Sequence, residues 1–158
     1  MTKITDVLSR EHQVALQKLS LFEKALQAFD CQAIEETIHF FDEKLILHRR
    51  KEEEVLFPAL GRYIGTKEGP IACMLEEHRD EKEKIDVIRN ALQENSGLLA
   101  KKRIQEAGRY ILELLRNHIA KEDNILFPLA EQTLTEEDKK EIQKKMKAIG
   151  FCCPECAQ

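Results

Sequence analysis

His48-Arg-Arg-Lys-Glu52 runs directly into Glu-Glu-Val-Leu-Phe-Pro58, and seventy positions later His118-Ile-Ala-Lys-Glu122 runs into Asp-Asn-Ile-Leu-Phe-Pro128. The His, the Glu four residues on and the trailing Leu-Phe-Pro fall at the same offsets in both copies. On a helix, four residues make about one turn, so each His and its Glu stack on one face. A neutral imidazole and a carboxylate so placed can grip one metal ion or reach across to a second. A single His-x-x-x-Glu is usually a histidine beside a solvated glutamate. Two copies in matching contexts argue against that bland reading.

The surrounding apolar residues extend the repeat to whole helices. From about Cys31 to Tyr63 the seam Ile34, Ile38, Phe41, Leu45, His48, Glu52, Val55, Ala59 alternates steps of four and three, the stripe a bundle helix buries. From about Leu98 to Glu131 the seam Ile104, Gly108, Ile111, Leu115, His118, Glu122, Ile125, Leu129 repeats it. Both His–Glu pairs therefore point into a core, where a carboxylate is costly unless it is paired or metal-bound. Gly108, standing where the first copy has Ile38, weakens its helix and permits close approach of a neighbour.

The other two helical segments also correspond. Ile4 to Phe29 carries the seam Leu8, His12, Ala15, Leu19, Phe22, Leu26, and Pro70 to Gln93 carries Met74, His78, Glu81, Ile85, Ile88, Leu92. Each brings an inward histidine preceded by glutamate, Glu11-His12 and Glu77-His78. The chain reads as two copies of a helix pair, and antiparallel packing of the two makes a four-helix bundle. The expected fold is all-α: a bundle over residues 1–134, a short fifth helix over 135–150 and a cysteine-containing tail over 151–158. Asp30 is a candidate N-cap, Thr135-Glu-Glu-Asp138 resembles a capping box, and Gly150 is a C-terminal stop. Pro58 is expected to kink or end its helix. Ile64 to Gly69 and Asn95-Ser-Gly97 read as turns. Ile142, Met146 and Ile149 give the fifth helix one apolar side to pack on the bundle.

With 158 residues, 42% hydrophobic and 34% charged, the chain suits one well-cored helical domain. A net charge of −4 gives no basic face for nucleic acid. No apolar run approaches the about 20 residues of a membrane span, and the first residues have no signal-peptide core, so a cytoplasmic location is expected. Five cysteines, three of them crowded near the end, do not form the even framework of a disulfide-stapled secreted domain.

Together the two copies supply His12, His48, Glu52, His78, His118 and Glu122 to one interior. One inward histidine is more often a hydrogen-bonded core residue than a ligand; four of five on core seams, two with buried glutamates, point to metal. Four imidazoles and two carboxylates suit a pair of first-row transition ions rather than calcium or magnesium, and two carboxylates for two ions allow both to bridge. Bundle cores with helix-borne Glu and His house two-iron sites. His39, half a turn off the seam from His48, should face outward. Glu81 is read as an outer hydrogen-bond partner for a metal-bound histidine.

In this order of a lone His, His-x-x-x-Glu with Leu-Phe-Pro, a lone His and His-x-x-x-Glu again, residues 4 to about 131 resemble the hemerythrin family, in its bacterial and archaeal HHE cation-binding branch. The resemblance implies an up-down-up-down bundle with an oxo- or hydroxo-bridged di-iron centre. It implies iron ligation by the six residues named, with Glu52 and Glu122 as bridges. Two departures stand out: Lys82 where oxygen carriers have a second histidine one turn after that of the third helix, and Glu122 where they have an aspartate at longer spacing. Fewer imidazoles favour reaction with peroxide or nitric oxide, sensing or iron handling over reversible oxygen carriage.

Two functions follow. One is a di-iron protein that binds or reacts with oxygen, peroxide or nitric oxide, supplied with electrons by a redox partner. The other is an iron-sensing or iron-storing module whose stability is tied to metal occupancy. A metal-free bundle would have to bury Glu52, Glu122 and four histidines unliganded, which desolvation disfavours. The tail lies outside the resemblance. Cys153-Pro-Glu-Cys156, with Cys152 beside it, reads as free thiols, a redox pair or a metal site shared between chains, and Cys31 and Cys73 as ordinary small residues.

Overall fold

The computed structural model describes residues 2–94 and 97–157. Five helices follow one another: α1 Asp6–Ala28, α2 over residues 31–64, α3 Pro70–Gln93, α4 over residues 98–133 and α5 Glu136–Ile149, with a 3-10 turn at Pro154–Ala157. Among the described residues there is no strand, and no helix is long and apolar enough to cross a membrane. The local signals act as their chemistry requires. Asp30 accepts a hydrogen bond from the Ala33 N–H at the start of α2, satisfying one first-turn donor. Thr135 and Asp138 cap each other's backbone at α5, and Gly150, at φ +103, ends that helix with a bond to the Met146 carbonyl. The turn expected at Asn95-Ser-Gly97 rests on Asn95 and Ser96, which lie outside the described residues.

Pro58 does not end α2. The helix runs on to Ile64, and the strain is taken up just ahead of the proline by a π-helical turn, Glu52–Leu56, in which the Phe57 N–H reaches back to the Glu52 carbonyl. The second copy behaves identically: Glu122–Leu126 is a π turn closed by Phe127 on Glu122. Pro58 and Pro128 then sit at the start of the following α segments, where a missing N–H costs little. A second π turn in α2 spans Phe41–Leu45.

A π turn adds one residue to the helical register, and the buried stripe slips accordingly. The four-three seam expects Ile125 and Leu129 inward, but Ile125 is 59% exposed while Leu126 and Ala130 are buried. In α2 the slip moves the stripe from Ala59 to Leu60, and Leu56 joins Val55 in the core. This corrects the sequence-based seam after each glutamate.

Two apolar clusters fill the bundle. One gathers Leu19, Phe22, Ile34, Phe41, Ile88 and Ile111; the other gathers Leu8, Phe57, Leu60, Ile71 and Phe127, with Ile142 and Met146 of α5 packed on it. Along every bundle helix the inward histidine lies between the two, as His12 does between Leu8 and Ala15. A polar layer therefore crosses an otherwise apolar interior. Gly108 lets α4 approach α1: a Cβ there would stand 2.5 Å from Leu26 Cδ1.

Candidate metal centre

Each bundle helix delivers one imidazole to the polar layer, and α2 and α4 add a carboxylate one turn later. His12, His48, Glu52, His78, His118 and Glu122 are all buried. Their donor atoms fall into two sets, His12, His48, Glu52, Glu122 and Glu52, His78, His118, Glu122, each within 4.8 Å. Both glutamates belong to both sets. Glu52 puts Oε1 2.9 Å from His48 Nε2 and Oε2 3.2 Å from His78 Nε2. Glu122 puts Oε2 3.1 Å from His12 Nε2 and Oε1 3.2 Å from His118 Nε2. Each carboxylate thus spans the two histidine pairs. The geometry is that of a shared ligand.

A second layer of carboxylates sets the rings. Nδ1 of His12 meets Asp123 at 2.9 Å, His78 meets Glu53 at 2.8 Å and His118 meets Glu77 at 2.7 Å. Nδ1 of His48 lies 3.6 Å from Glu11 Oε1. A carboxylate accepts, so Nδ1 carries a hydrogen and Nε2 is turned inward, the arrangement outer partners impose on metal-binding histidines. The pattern is symmetric. Glu11 and Glu77 serve the histidine of their own half, while Glu53 and Asp123 serve the lone histidine of the other half. The Phe of each Leu-Phe-Pro also crosses over: Phe127 stacks on His12 at 5.3 Å and Phe57 on His78 at 6.0 Å between ring centres.

Sequence reasoning missed these four acids. Their signal was present in the repeat: Glu11 and Glu77 precede the lone histidines, and Glu53 and Asp123 follow the shared glutamates. Glu81 is a correction. It accepts a hydrogen bond from buried Arg49 at 2.6 Å and does not orient a histidine, because the ring nitrogens already have nearer acceptors. His39 is 71% exposed and pairs with Glu43, as expected from its phase. Lys51, fully buried, was also missed; its Nζ sits astride the Glu11 carboxylate, 2.8 Å from Oε1 and 2.9 Å from Oε2, with its hydrogen bond directed to Oε2. Cys31 and Cys73 are exposed.

The donor set fits a pair of cations. Both oxygens of Glu52, both of Glu122 and Nε2 of His12 are buried without a hydrogen-bond partner, a costly condition unless positive charge lies among them. In the metal-free chain protons supply that charge. Burial opposes protonation of His48, but the charges of Glu52 and Glu11 prevail and raise it to about 10. For His118, Glu122 and Glu77 overcome burial and raise it to about 11. His12 and His78 are raised against the same desolvation by their paired acids. Burial would raise the Glu52 carboxyl, yet His48 and His78 hold it well below the usual carboxylate range. Burial likewise opposes ionisation of Glu11, and His48 and Lys51 hold it down to about 2. Mixed imidazole and carboxylate donors suit first-row transition ions.

Beside the layer lies a cavity of about 20 Å³, walled by all four histidines, Arg49, Glu81, Leu45 and Leu115 among others. That volume admits one or two small molecules at most.

Comparison with known proteins agrees with this architecture. The family model described as the hemerythrin HHE cation binding domain matches residues 3–130. Proteins named iron-sulfur cluster repair protein YtfE are similar over 93 residues, 56% of this chain and 42% of theirs. Those from Enterobacter sp. (strain 638) and Salmonella paratyphi B are 33% identical, and that from Edwardsiella ictaluri is 37% identical. The chain thus matches less than half the length of these relatives. No solved structure matches. With its matched segment spanning all four bundle helices and every member of the polar layer, the chain belongs to the hemerythrin HHE cation-binding domain family.

Proposed function

We propose that the chain is a di-iron protein that binds or reacts with a small oxidant, oxygen, peroxide or nitric oxide. In this reading His12 and His48 would hold one iron and His78 and His118 the other, with Glu52 and Glu122 available to both. The observation that carries it is the sharing of both buried glutamates between two histidine pairs. When bound, an iron pair would supply redox chemistry towards a small oxidant, with an external reductant as the source of electrons. Two imidazoles and two shared carboxylates are all the protein donors that each ion would draw from the layer.

The protein's own part is positioning and exclusion. Asp123, Glu53, Glu77 and Glu11 fix the imidazoles with Nε2 inward. The apolar clusters on either side keep bulk water from the layer, and the small cavity selects a ligand of a few atoms over an organic substrate. Arg49, held by Glu81 at the cavity wall, places a buried cation beside the ligand space. Five free thiols suit a reducing compartment, and the cytoplasm is the location this reading assigns.

Protein isolated without chelator from iron-replete cells should carry two irons per chain in the histidine–glutamate layer, with the Mössbauer spectrum of a magnetically coupled pair. After reduction it should consume peroxide or nitric oxide at an electrode. Zinc alone, or no metal, would sink the assignment. A second reading is the iron-sensing or iron-storing module, and the relatives' name, which concerns iron-sulfur clusters, supports a role in iron handling. It predicts two irons that pass to a chelating acceptor without consumption of oxidant.

A further inference from the structure

The tail brings three sulfurs to one point. Cys152, Cys153 and Cys156 offer Sγ atoms that all lie within 4.8 Å of one another. Cys152 Sγ is 4.0 Å and Cys153 Sγ 2.6 Å from Cys156 Sγ. Cys152 and Cys156 are buried, whereas Cys153 is partly exposed. The return is made by the 3-10 turn Pro154–Ala157, in which the Cys156 N–H bonds to the Cys153 carbonyl.

We propose that these three thiols form a mononuclear metal site, separate from the histidine–glutamate layer, for a thiolate-seeking divalent cation, zinc or ferrous iron. On binding, three S–H bonds break and three metal–sulfur bonds form. Three protons leave to solvent and no electron moves. Metal–sulfur bonds of about 2.3 Å at tetrahedral angles place sulfurs about 3.8 Å apart. Cys152 and Cys156 already stand near that separation, and Cys153, the partly exposed member, has to swing outward by about 1 Å. A Cys153–Cys156 disulfide would employ two sulfurs and leave the convergence of buried Cys152 without a role. Three protein donors leave the fourth tetrahedral position to solvent or to a donor from another molecule.

The bundle holds this tail through charged groups. The Cys152 N–H donates to Glu11 Oε2 at 3.0 Å, and Lys51 Nζ donates both to Glu11 and to the Gly150 carbonyl. Arg10 donates to the Cys156 carbonyl at 3.5 Å. Glu11 and Lys51 are fully buried. The peptide leading into the cluster is therefore pinned to α1 and α2 before any metal arrives, which lowers the entropic cost of assembling three ligands.

The test is anaerobic cobalt(II) titration of the full chain, stripped of metal and fully reduced. The expected result is a sulfur-to-cobalt charge-transfer band whose final amplitude corresponds to one thiolate-bound cobalt per chain, whatever further cobalt the histidine–glutamate layer takes up. Imidazole and carboxylate ligands give no such band, so the result is independent of the iron reading. On prolonged labelling, reactive thiols should fall from five in the stripped chain to two in the cobalt-loaded chain, the exposed Cys31 and Cys73. Cys156→Ser should abolish the band while leaving helical circular dichroism unchanged, and Cys153→Ser should do the same. The proposal is overturned if no band forms while all five thiols titrate. It is equally overturned if the band survives both substitutions, or if a Cys153–Cys156 disulfide forms in air with zinc in excess.

Discussion

His78 Nε2 and His118 Nε2 face each other at 3.2 Å, while the opposite nitrogens of the two rings are engaged by Glu53 and Glu77. Two inward lone pairs at that distance repel unless a proton or a metal ion stands between them. The raised value of His118, about 11, places a proton there in the metal-free chain, and a metal ion would have to displace it.

Metal binding is therefore expected to release protons and to tighten with pH. At neutral pH metal-free His48, raised to about 10, and His118, raised to about 11, are charged. At least two protons should leave per chain, with apparent affinity rising about tenfold per pH unit for each proton displaced. Calorimetry in buffers of different ionisation enthalpy measures the release directly.

The metal-free chain should show the opposite trend in stability. A raised histidine stabilises fully below its ordinary value of 6.5 and loses that contribution as pH climbs through its folded value. For His48 and His118 the loss runs upward from about 6.5 to about 10 and about 11. Glu11, held at about 2 against an ordinary 4.5, contributes stability that is present above 4.5 and lost as pH falls towards 2. Thermal melts of stripped protein should thus decline on both sides of a weakly acidic to neutral optimum, and the gain in Tm on adding metal should grow with pH.

The shared glutamates and the single histidines should differ in stoichiometry. In a Cys153→Ser background, which removes the tail site, Glu52→Gln or Glu122→Gln weakens both positions and should bring metal content well below one per chain. His12→Ala removes a donor from one set alone and should leave about one ion. Metal analysis after equilibrium dialysis separates the two outcomes.

Outer acids should tune affinity without changing the count. Glu77→Gln or Asp123→Asn is expected to weaken metal binding by about 10- to 100-fold. Glu81→Gln should act on stability instead: it leaves Arg49 buried beside a neutral partner, at a cost of up to about 3–5 kcal/mol. Competition with a chelator, set beside denaturant melts, resolves affinity from stability.

Lys51→Met should destabilise by up to about 3–5 kcal/mol, because Glu11 then stays buried with only the more distant His48 imidazole to offset its charge. At this chain length that lowers Tm by about 10 °C. The same variant should loosen the tail, since Lys51 also holds the Gly150 carbonyl. Faster proteolysis within residues 150–157 would report it.

The six inner-layer residues were legible because periodicity and repetition are local properties. A four-three seam tells which way a side chain points, and a second copy seventy residues on makes an inward Glu52 or Glu122 a pattern. The outer acids were less legible. Glu53 and Asp123 lie beside the seam, and their partners His78 and His12 belong to other helices. Glu81 misled because stripe position reveals direction and not partner: Arg49, from the next helix over, claimed it.

By itself the sequence determined the helices, their caps, the order of the bundle and the set of inward imidazoles and carboxylates, since hydrophobic period and spacing act along one chain. Tertiary packing decided what lies across the gaps. It determined that Glu52 and Glu122 each span two histidine pairs, that π turns absorb Pro58 and Pro128 and slip the stripe by one residue, and that Lys51 ties the tail to Glu11. The physical reason is that a buried charge must find its partner wherever packing places one, and that partner is seldom a neighbour in sequence.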